Sequence, residues 1–489
     1  MQLKPKKLLL NTRQPTGMWV IFITTLFFTM SSTTLTITLD SYTLEVAPYL
    51  DYLKQNFDFS LYSNLYLFAF AGIIGGIIGY IIGHKRSVVI GIFYSVVGLL
   101  LLSINNLALI GFSAYVIGIG ITLPNLLTTL SFLYTQDDPR RHAGFTLVYM
   151  ASVFGSALAI LLNDFLAVKI GYQALYALMT IFSVIAALVF MYAGTSLNRN
   201  IGITEGKDAR FTPSNYTVIF ILILLSTLLS YLLDYIYVLE IMIVGIAAVV
   251  FVIMVIYTLL ETDFQQRKRA FALLILSVFG ICYWLVDKNI LIIFLNYLNF
   301  FSKSTEMTLP GFISANFIFE INIVLIVIFG LTMAVFWNKN KLQKHIVQIT
   351  RFFALALTIS AISCLLIALS ITLEKYNIGE KIAAYLLLIT VALNSIAKII
   401  LLPLYYAIVG KLSPRKYESV VMGFFFILTS AVGVISIFIN DRTLRHNFEF
   451  SLQYQYLSKV YFILATAVFA VAASAFVFVK IWEKYLKAR

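Results

Sequence analysis

The chain has 489 residues, of which 61% are hydrophobic and only 12% are charged, and this composition excludes an ordinary soluble globular protein. The formal net charge of +13 would suit a nucleic-acid partner, but the basic residues are spread over short loops between apolar runs. We therefore predict a multi-spanning membrane protein that contacts lipid and does not bind nucleic acid.

About fourteen apolar runs approach the ~20 residues that a helix needs to cross a bilayer. The first six are Met18–Leu39, Leu61–Gly83, Val88–Ile104, Leu107–Tyr134, Ala143–Val168 and Tyr172–Ala193. A separate pair is Tyr216–Leu233 and Ile241–Leu260. The last six are Ala270–Leu298, Phe312–Trp337, Phe352–Leu373, Ile382–Val409, Val420–Ile439 and Tyr461–Trp482.

This layout predicts an all-α membrane protein in three parts. They are a six-helix bundle in residues 1–198, a linker with two extra transmembrane helices in residues 199–269, and a second six-helix bundle in residues 270–489. Because the number of spans is even, both termini lie on one side, and placing them in the cytoplasm also puts most of the 35 Lys and Arg residues there.

Residues typical of catalysis or metal binding are sparse. Two cysteines, Cys282 and Cys364, lie inside apolar runs, and four histidines lie between the runs: His84, His142, His345 and His446. The sequence contains no nucleophile and base set and no nucleotide-binding glycine loop. We therefore predict no enzymatic activity, no cofactor and no bound metal.

Lys398 lies in the middle of the run Ile382–Val409 and is the only formal charge in it. Because a lone ammonium in hydrocarbon costs several kcal/mol, Lys398 is expected to face a watery cavity. Thr390 and Asn394 share its helix face at four-residue steps. The alternative is a structural ion pair, with Glu320 as the first candidate partner.

Asp287 is the second candidate partner of Lys398, and Lys288 follows it directly. Hydroxyl groups also line one face of the first span, at Thr25, Thr29, Ser32 and Thr36. They either form a wet wall or bond to their own backbone carbonyls and pack against neighbouring helices.

Two stretches resemble the proton-coupled oligopeptide transporter family of the major facilitator superfamily. The segment from Asp138 to Thr146, followed by Tyr149-Met150, resembles that family's signature D-P-R-R-D-A-G-F-T-x-x-Y-M. Upstream, a second group resembles its pattern G-x-G-x-x-K-P-N: Gly118, Gly120, Pro124 and Asn125. The two extra central helices are typical of bacterial members. The resemblance implies the major facilitator fold, alternating access and a bacterial inner membrane.

The departures from the family pattern concern charged residues. The family's E-x-x-E-R motif aligns with the segment from Thr25 to Thr29, so both acids and the arginine are absent. The fourth-helix lysine is Leu123 and a second-helix aspartate is Tyr80. The tenth-helix glutamate, which meets the amino terminus of a peptide in the family, aligns with Lys398, and this reversal of charge favours an anionic group there.

We therefore expect a secondary transporter of a small anionic or zwitterionic organic solute, with or without coupled protons. The predicted substrate-binding residues are Lys398, Asn394, Thr29, Asn125 and Glu320. The candidate proton carriers are Glu320 and Asp287, whose pKa values would have to be raised by burial or by a neighbour.

Arg140 and Arg141 are predicted to gate the cytoplasmic side, although anchoring of basic loops in the cytoplasm would also explain both charges. Two other functions remain open. One is an ordinary proton-coupled importer of di- and tripeptides, and the other is a non-transporting receptor or scaffold of transporter ancestry.

Overall fold

The computed structural model describes residues 13–46, 61–136, 138, 140–193, 215–233, 235–301, 315–339, 346–375, 380–444 and 450–487. Every regular element in these ranges is a helix, which confirms the all-α prediction. The helices are α1 (Thr16–Val46), α2 (Leu61–Ile82), α3 (His84–Leu102), α4 (Ala108–Phe132), α5 and α6 (together Arg141–Tyr192), α7 (Asn215–Leu233), α8 (Ile236–Leu260), α9 (Phe264–Phe301), α10 (Ala315–Lys339), α11 (Ile346–Lys375), α12 (Glu380–Leu412), α13 (Glu418–Leu444) and α14 (Phe450–Lys487).

A break at Gly171 divides the long helical run into α5 (residues 141–170) and α6 (residues 172–192). Its φ of 74° and ψ of 164° are not helical. This part of backbone space is open to glycine and strained for residues with a Cβ. The two spans therefore meet with no separate loop between them.

The number of spans agrees with the sequence prediction. In the described ranges, 11 helices are long and apolar enough to cross a membrane, and three shorter apolar helices lie within α2, α7 and α10. Several helices extend past the predicted runs: α1 continues to Val46, and α14 begins at Phe450 instead of Tyr461. Composition marks only the segment in hydrocarbon, whereas backbone hydrogen bonding continues into the interface.

The helices form two groups that also contact each other. In the first group α1 packs on α5 and α6, and α4 packs on both α2 and α3. In the second, α11 packs on α12 and α14, and α9 packs on α13. Contacts between α2 and α13 and between α5 and α10 join the groups. The proposed boundary at residue 269 falls inside α9, which begins at Phe264.

The glycines of α2 point to two different neighbours. A Cβ at Gly75 would meet the backbone of Gly120 in α4. A Cβ at Gly76 would lie 2.5 Å from the carbonyl oxygen of Ser419 and 3.1 Å from Cα of Gly423, both in α13. Close backbone approach of this kind requires small residues at the contact. One face of α2 is thus fixed within the first group and another contacts the second.

Candidate functional site

An ion pair joins α9 and α12 inside the second group. The Lys398 ammonium Nζ lies 3.0 Å from Oδ1 of Asp287, and the two side chains are 24% and 9% exposed. Asn394 Nδ2 donates a hydrogen bond of 3.0 Å to the same carboxylate oxygen. Asn394 and Lys398 are one helical turn apart on α12, so both reach a single residue of α9.

The observed partner of Lys398 is the second of the two carboxylates considered from the sequence. Asp287 lies on α9, which packs on α12, and it receives both the ammonium and the amide. Only the backbone of Glu320 lies within the described part of the chain, in α10. Its predicted roles in substrate binding and proton transfer stay predictions.

Tyr149 of α5 brings the first group of helices to this site. It lies within electrostatic reach of both Lys398 and Asp287. Lys288 also lies within reach of the pair, and its side chain is partly buried. In the sequence, Tyr149 is distinguished only by its position in the family signature, and that position is the signal that identifies it.

Two polar groups near the pair have no hydrogen-bond partner among the described residues. One is Oδ1 of Asn394, whose Nδ2 is held by Asp287, and the other is the hydroxyl of Tyr283, one turn before Asp287 on α9. Both groups are buried. Since burying an unpaired polar group is unfavourable, these two groups retain unused hydrogen-bonding capacity beside the pair.

Thr29 and its neighbours on α1 bond within their own helix. Thr29 Oγ1 donates to the Thr25 carbonyl oxygen at 2.8 Å, and Thr25 Oγ1 donates to the Ile21 carbonyl oxygen at 2.7 Å. A Cβ at Gly155 of α5 would collide with the Thr29 hydroxyl. This geometry is that of the packing alternative, and a substrate contact by Thr29 stays a prediction.

Asn125 connects α4 to α2. Its Nδ2 donates to the carbonyl oxygens of Gly75 at 2.8 Å and Ile121 at 2.7 Å, and the side chain is fully buried. Oδ1 has no hydrogen-bond partner among the described residues. The donors of this amide are thus used in helix packing, and its predicted substrate contact is untested.

Arg141 connects the two groups of helices at the end that carries the basic loops between α4 and α5 and between α12 and α13, here called the basic-loop end. The side chain is 2% exposed, Nε donates to the Ala407 carbonyl oxygen of α12 at 2.8 Å, and Nη2 donates to Oγ of Ser131 in α4. The Nη2 atom also lies 4.0 Å from Oε1 of Glu418, the first residue of α13. One guanidinium therefore contacts three helices besides its own.

Arg140 has different partners. It forms a two-point contact with Asp138, at 3.1 Å from Nε to Oδ1 and 2.8 Å from Nη2 to Oδ2. Nη1 donates to the Arg13 carbonyl oxygen at 2.8 Å. The hydrogen bond to Asp138 raises the pKa of the Arg140 guanidinium above its usual value. These contacts join the α4–α5 loop to the segment before α1.

Two of the histidines that lie between the apolar runs belong to helices. His84 is the first residue of α3 and stacks on Phe132 at 4.7 Å between ring centroids. His142 lies in the first turn of α5 and packs near Trp337. The helices begin before the apolar runs, so residues at the interface were misplaced. His345 and His446 lie outside the described residues.

Comparisons of the sequence with known proteins identify one family of transporters. The sequence model of the POT family matches residues 73–455. Dipeptide and tripeptide permease A of Pectobacterium carotovorum subsp. carotovorum is 24% identical over 391 residues, which are 77% of this chain and 74% of that protein.

Two solved structures show the same fold. The peptide transporter POT in complex with sulfate has a TM-score of 0.65 at 20% identity, covering 94% of this chain and 95% of that one. A POT family transporter in complex with 5-aminolevulinic acid has a TM-score of 0.67 at 16% identity, covering 94% and 97%. Because the family match spans most of the sequence, this chain belongs to the POT family.

Proposed function

We propose that this POT-family transporter moves a small zwitterionic or anionic organic solute by alternating access. The observation that carries the proposal is the pair of Lys398 and Asp287, joined by Asn394 and lying near Tyr149 of the first group of helices. In this arrangement Lys398 binds the carboxylate of the solute, and Asn394 orients it.

The pair favours a solute whose charges match its own. Separating a buried ion pair and leaving either charge unpaired costs several kcal/mol. A zwitterion can replace both partners at once, with its carboxylate on Lys398 and its ammonium on Asp287. A simple anion can occupy Lys398 only if Asp287 takes up a proton, so Asp287 is the proposed site of proton coupling.

An ordinary di- or tripeptide is the nearest alternative, and the name of the Pectobacterium relative supports it. A peptide is also a zwitterion and can meet both charges of the pair. The ammonium of Lys398, at the position where the resemblance places a glutamate, favours a carboxylate at this point. A peptide that binds to the pair would therefore place its carboxyl terminus, and not its amino terminus, on α12.

The test is uptake into proteoliposomes of labelled peptides, zwitterions and small organic acids, with and without an inward proton gradient. Lys398→Glu should reduce uptake of the accepted solute by more than about tenfold, because a second carboxylate repels the anionic group. Lys288→Gln is the matched control, since it removes a neighbouring positive charge that does not bond to Asp287.

Asp287→Asn separates proton coupling from binding. This variant resembles protonated Asp287, so uptake of an anion should persist but lose its dependence on the proton gradient. Proton-driven peptide uptake that is unchanged in both Lys398→Glu and Asp287→Asn would contradict the proposal. Binding without uptake of any solute would favour a receptor or scaffold.

A further inference from the structure

The hairpin of α7 and α8 has one helix on each group. On the α7 side, Tyr94 of α3 donates its hydroxyl to the Leu222 carbonyl oxygen at 2.9 Å and contacts Ser226 Oγ at 2.6 Å. α7 also packs on α4. Because water is scarce at this depth, a tyrosine hydroxyl bonded to two α7 groups is a specific attachment to the first group.

α8 is attached to the second group. It packs on α13 and α9, and the ring of Tyr237 contacts Phe438 edge-on at 6.1 Å. Its link to α9 is only the segment Glu261–Asp263, in which the Asp263 backbone N–H donates to Glu261 Oε1 at 3.1 Å. Asp263 Oδ1 in turn accepts from the Gln265 backbone N–H at 2.9 Å and caps α9.

The connection between α7 and α8 is equally short. α7 ends at Leu233 and α8 begins at Ile236. The Tyr235 backbone N–H donates to the Leu232 carbonyl oxygen at 3.0 Å, and the Tyr235 carbonyl oxygen accepts from Val238 at 2.9 Å. This turn lies at the end of the hairpin opposite the Glu261–Asp263 link to α9.

We propose that the α7–α8 hairpin is a strap that limits how far the two groups of helices separate at their basic-loop end. The strap rests on the alternating movement in the proposed function and on no particular substrate. As long as α7 stays attached at Tyr94 and α8 stays packed on α13, separation at that end must open the hairpin at its turn. Because α7 is about 28 Å long, opening of the angle between α7 and α8 by about 10° would move the Asn215 end of α7 by about 5 Å.

The test is pulsed electron–electron spin resonance between pairs of spin labels in nanodiscs, after replacement of both native cysteines (Cys282→Ser and Cys364→Ala). Labels at four exposed positions, one each at Thr135, Ile219, Leu259 and Lys416, give four distances. The pair 135–416 reports separation of the groups, and 219–259 reports opening of the hairpin. The pairs 135–219 and 259–416 are the controls within each group.

In the background Arg141→Ala, which removes the contacts to Ala407 and Glu418, the distances 135–416 and 219–259 should lengthen together while both controls stay constant. Lengthening of 135–416 with 219–259 unchanged would overturn the proposal, because the hairpin would then move with one group alone. These distances need no solute, so an error in the proposed substrate leaves the outcome unaffected.

A second variant tests the restraint directly. Tyr94→Phe combined with Ser226→Ala removes the hydrogen bonds to α7 and keeps the aromatic ring. The 135–416 distribution should shift by several ångströms toward longer distances, and the 135–219 distribution should broaden. Tyr231→Phe, at an exposed tyrosine of α7, is the matched control. A 135–416 distribution that is identical in the double variant and in the control would overturn the strap.

Discussion

Gly410 of α12 leaves the space that Arg141 occupies. A Cβ at this position would lie 2.6 Å from Glu418 Oε1 and would collide with Arg141 Nη2 and Ser131 Oγ. The guanidinium is held on several sides by Ala407, Ser131 and Glu418, so it cannot move away without losing hydrogen bonds. Glycine is therefore required here for close approach and not for an unusual backbone angle.

We predict that Gly410→Ala destabilises the protein by about 1–3 kcal/mol, the usual cost of inserting a methyl group into a filled site. Thermal unfolding in detergent, followed by intrinsic fluorescence, measures this effect. Gly245→Ala in α8 is the control, because no atom lies within 4 Å of a Cβ there. That variant should be neutral or slightly stabilising, since alanine favours helix. Equal unfolding temperatures for the two variants would contradict this account of Gly410.

The sequence predicts those residues that would be energetically unfavourable in a membrane without a partner. A lysine alone in an apolar run is conspicuous in the sequence, so Lys398 was found, and Asn394 followed from helical periodicity. The choice of Asp287 depends on the rotation of α9 about its axis, which sequence does not specify. Ser131 and Glu418 were missed because a serine and an acidic residue near helix ends have ordinary roles there.

At the scale of the helix, α2 has two packing faces, one against its own group of helices and one against the other group. Gly75 lies against α4 in its own group, and Gly76 lies against Ser419 and Gly423 of α13 in the other. The two glycines are adjacent in sequence and have the same chemistry. They therefore offer a matched pair for separating stability of one group from contact between the groups.

We predict that Gly75→Ala lowers thermal stability, whereas Gly76→Ala mainly increases the distance between the groups. Both substitutions place a methyl group against backbone atoms, which cannot yield as a side chain can, and the first pushes α2 away from α4 within its own group. The second acts on a contact between the two groups, which separate in the proposed alternating-access cycle. Unfolding temperature and the 135–416 spin-label distance distinguish these effects. The prediction fails if both variants change the same quantity to the same degree.

Helix number and order followed from hydrophobic runs, because the bilayer fixes both the length and the composition of a span. The positions of the helix ends did not follow from these runs. For example, α9 begins at Phe264, among charged residues. Beyond the apolar run, the helix end depends on capping and on the neighbouring helices. Asp263 at the start of α9 is such a cap, and its role is visible only once its partner is known.

At the scale of the whole molecule, two consecutive arginines contact different parts of the structure at the basic-loop end. Arg140 holds its own loop through Asp138 and the Arg13 carbonyl oxygen. Arg141 reaches α12 and α13 of the other group. The sequence predicts a gating role for both residues, and this role stays a prediction for each; the contacts between the two groups are made by Arg141.

We predict that Arg141→Ala favours separation of the groups at this end, whereas Arg140→Ala does not. Arg141→Lys should resemble Arg141→Ala, because one ammonium cannot reproduce the planar set of contacts to Ala407, Ser131 and Glu418. The fraction of long 135–416 distances measures the effect. An equal effect of the two alanine variants would mean that the basic loop acts through its net charge.

The pair of Asp287 and Lys398 also bears on how the chain enters the membrane. A charged side chain at the centre of a span costs about 2.5–3.5 kcal/mol, and a counter-ion reduces this cost. The two lie 111 residues apart in the chain, so Asp287 is synthesised well before Lys398. When α12 arrives, an acceptor for its ammonium is already in place on α9. A nascent chain that stops before α12 therefore carries Asp287 without Lys398, and Lys288 is then the cation within electrostatic reach of this carboxylate.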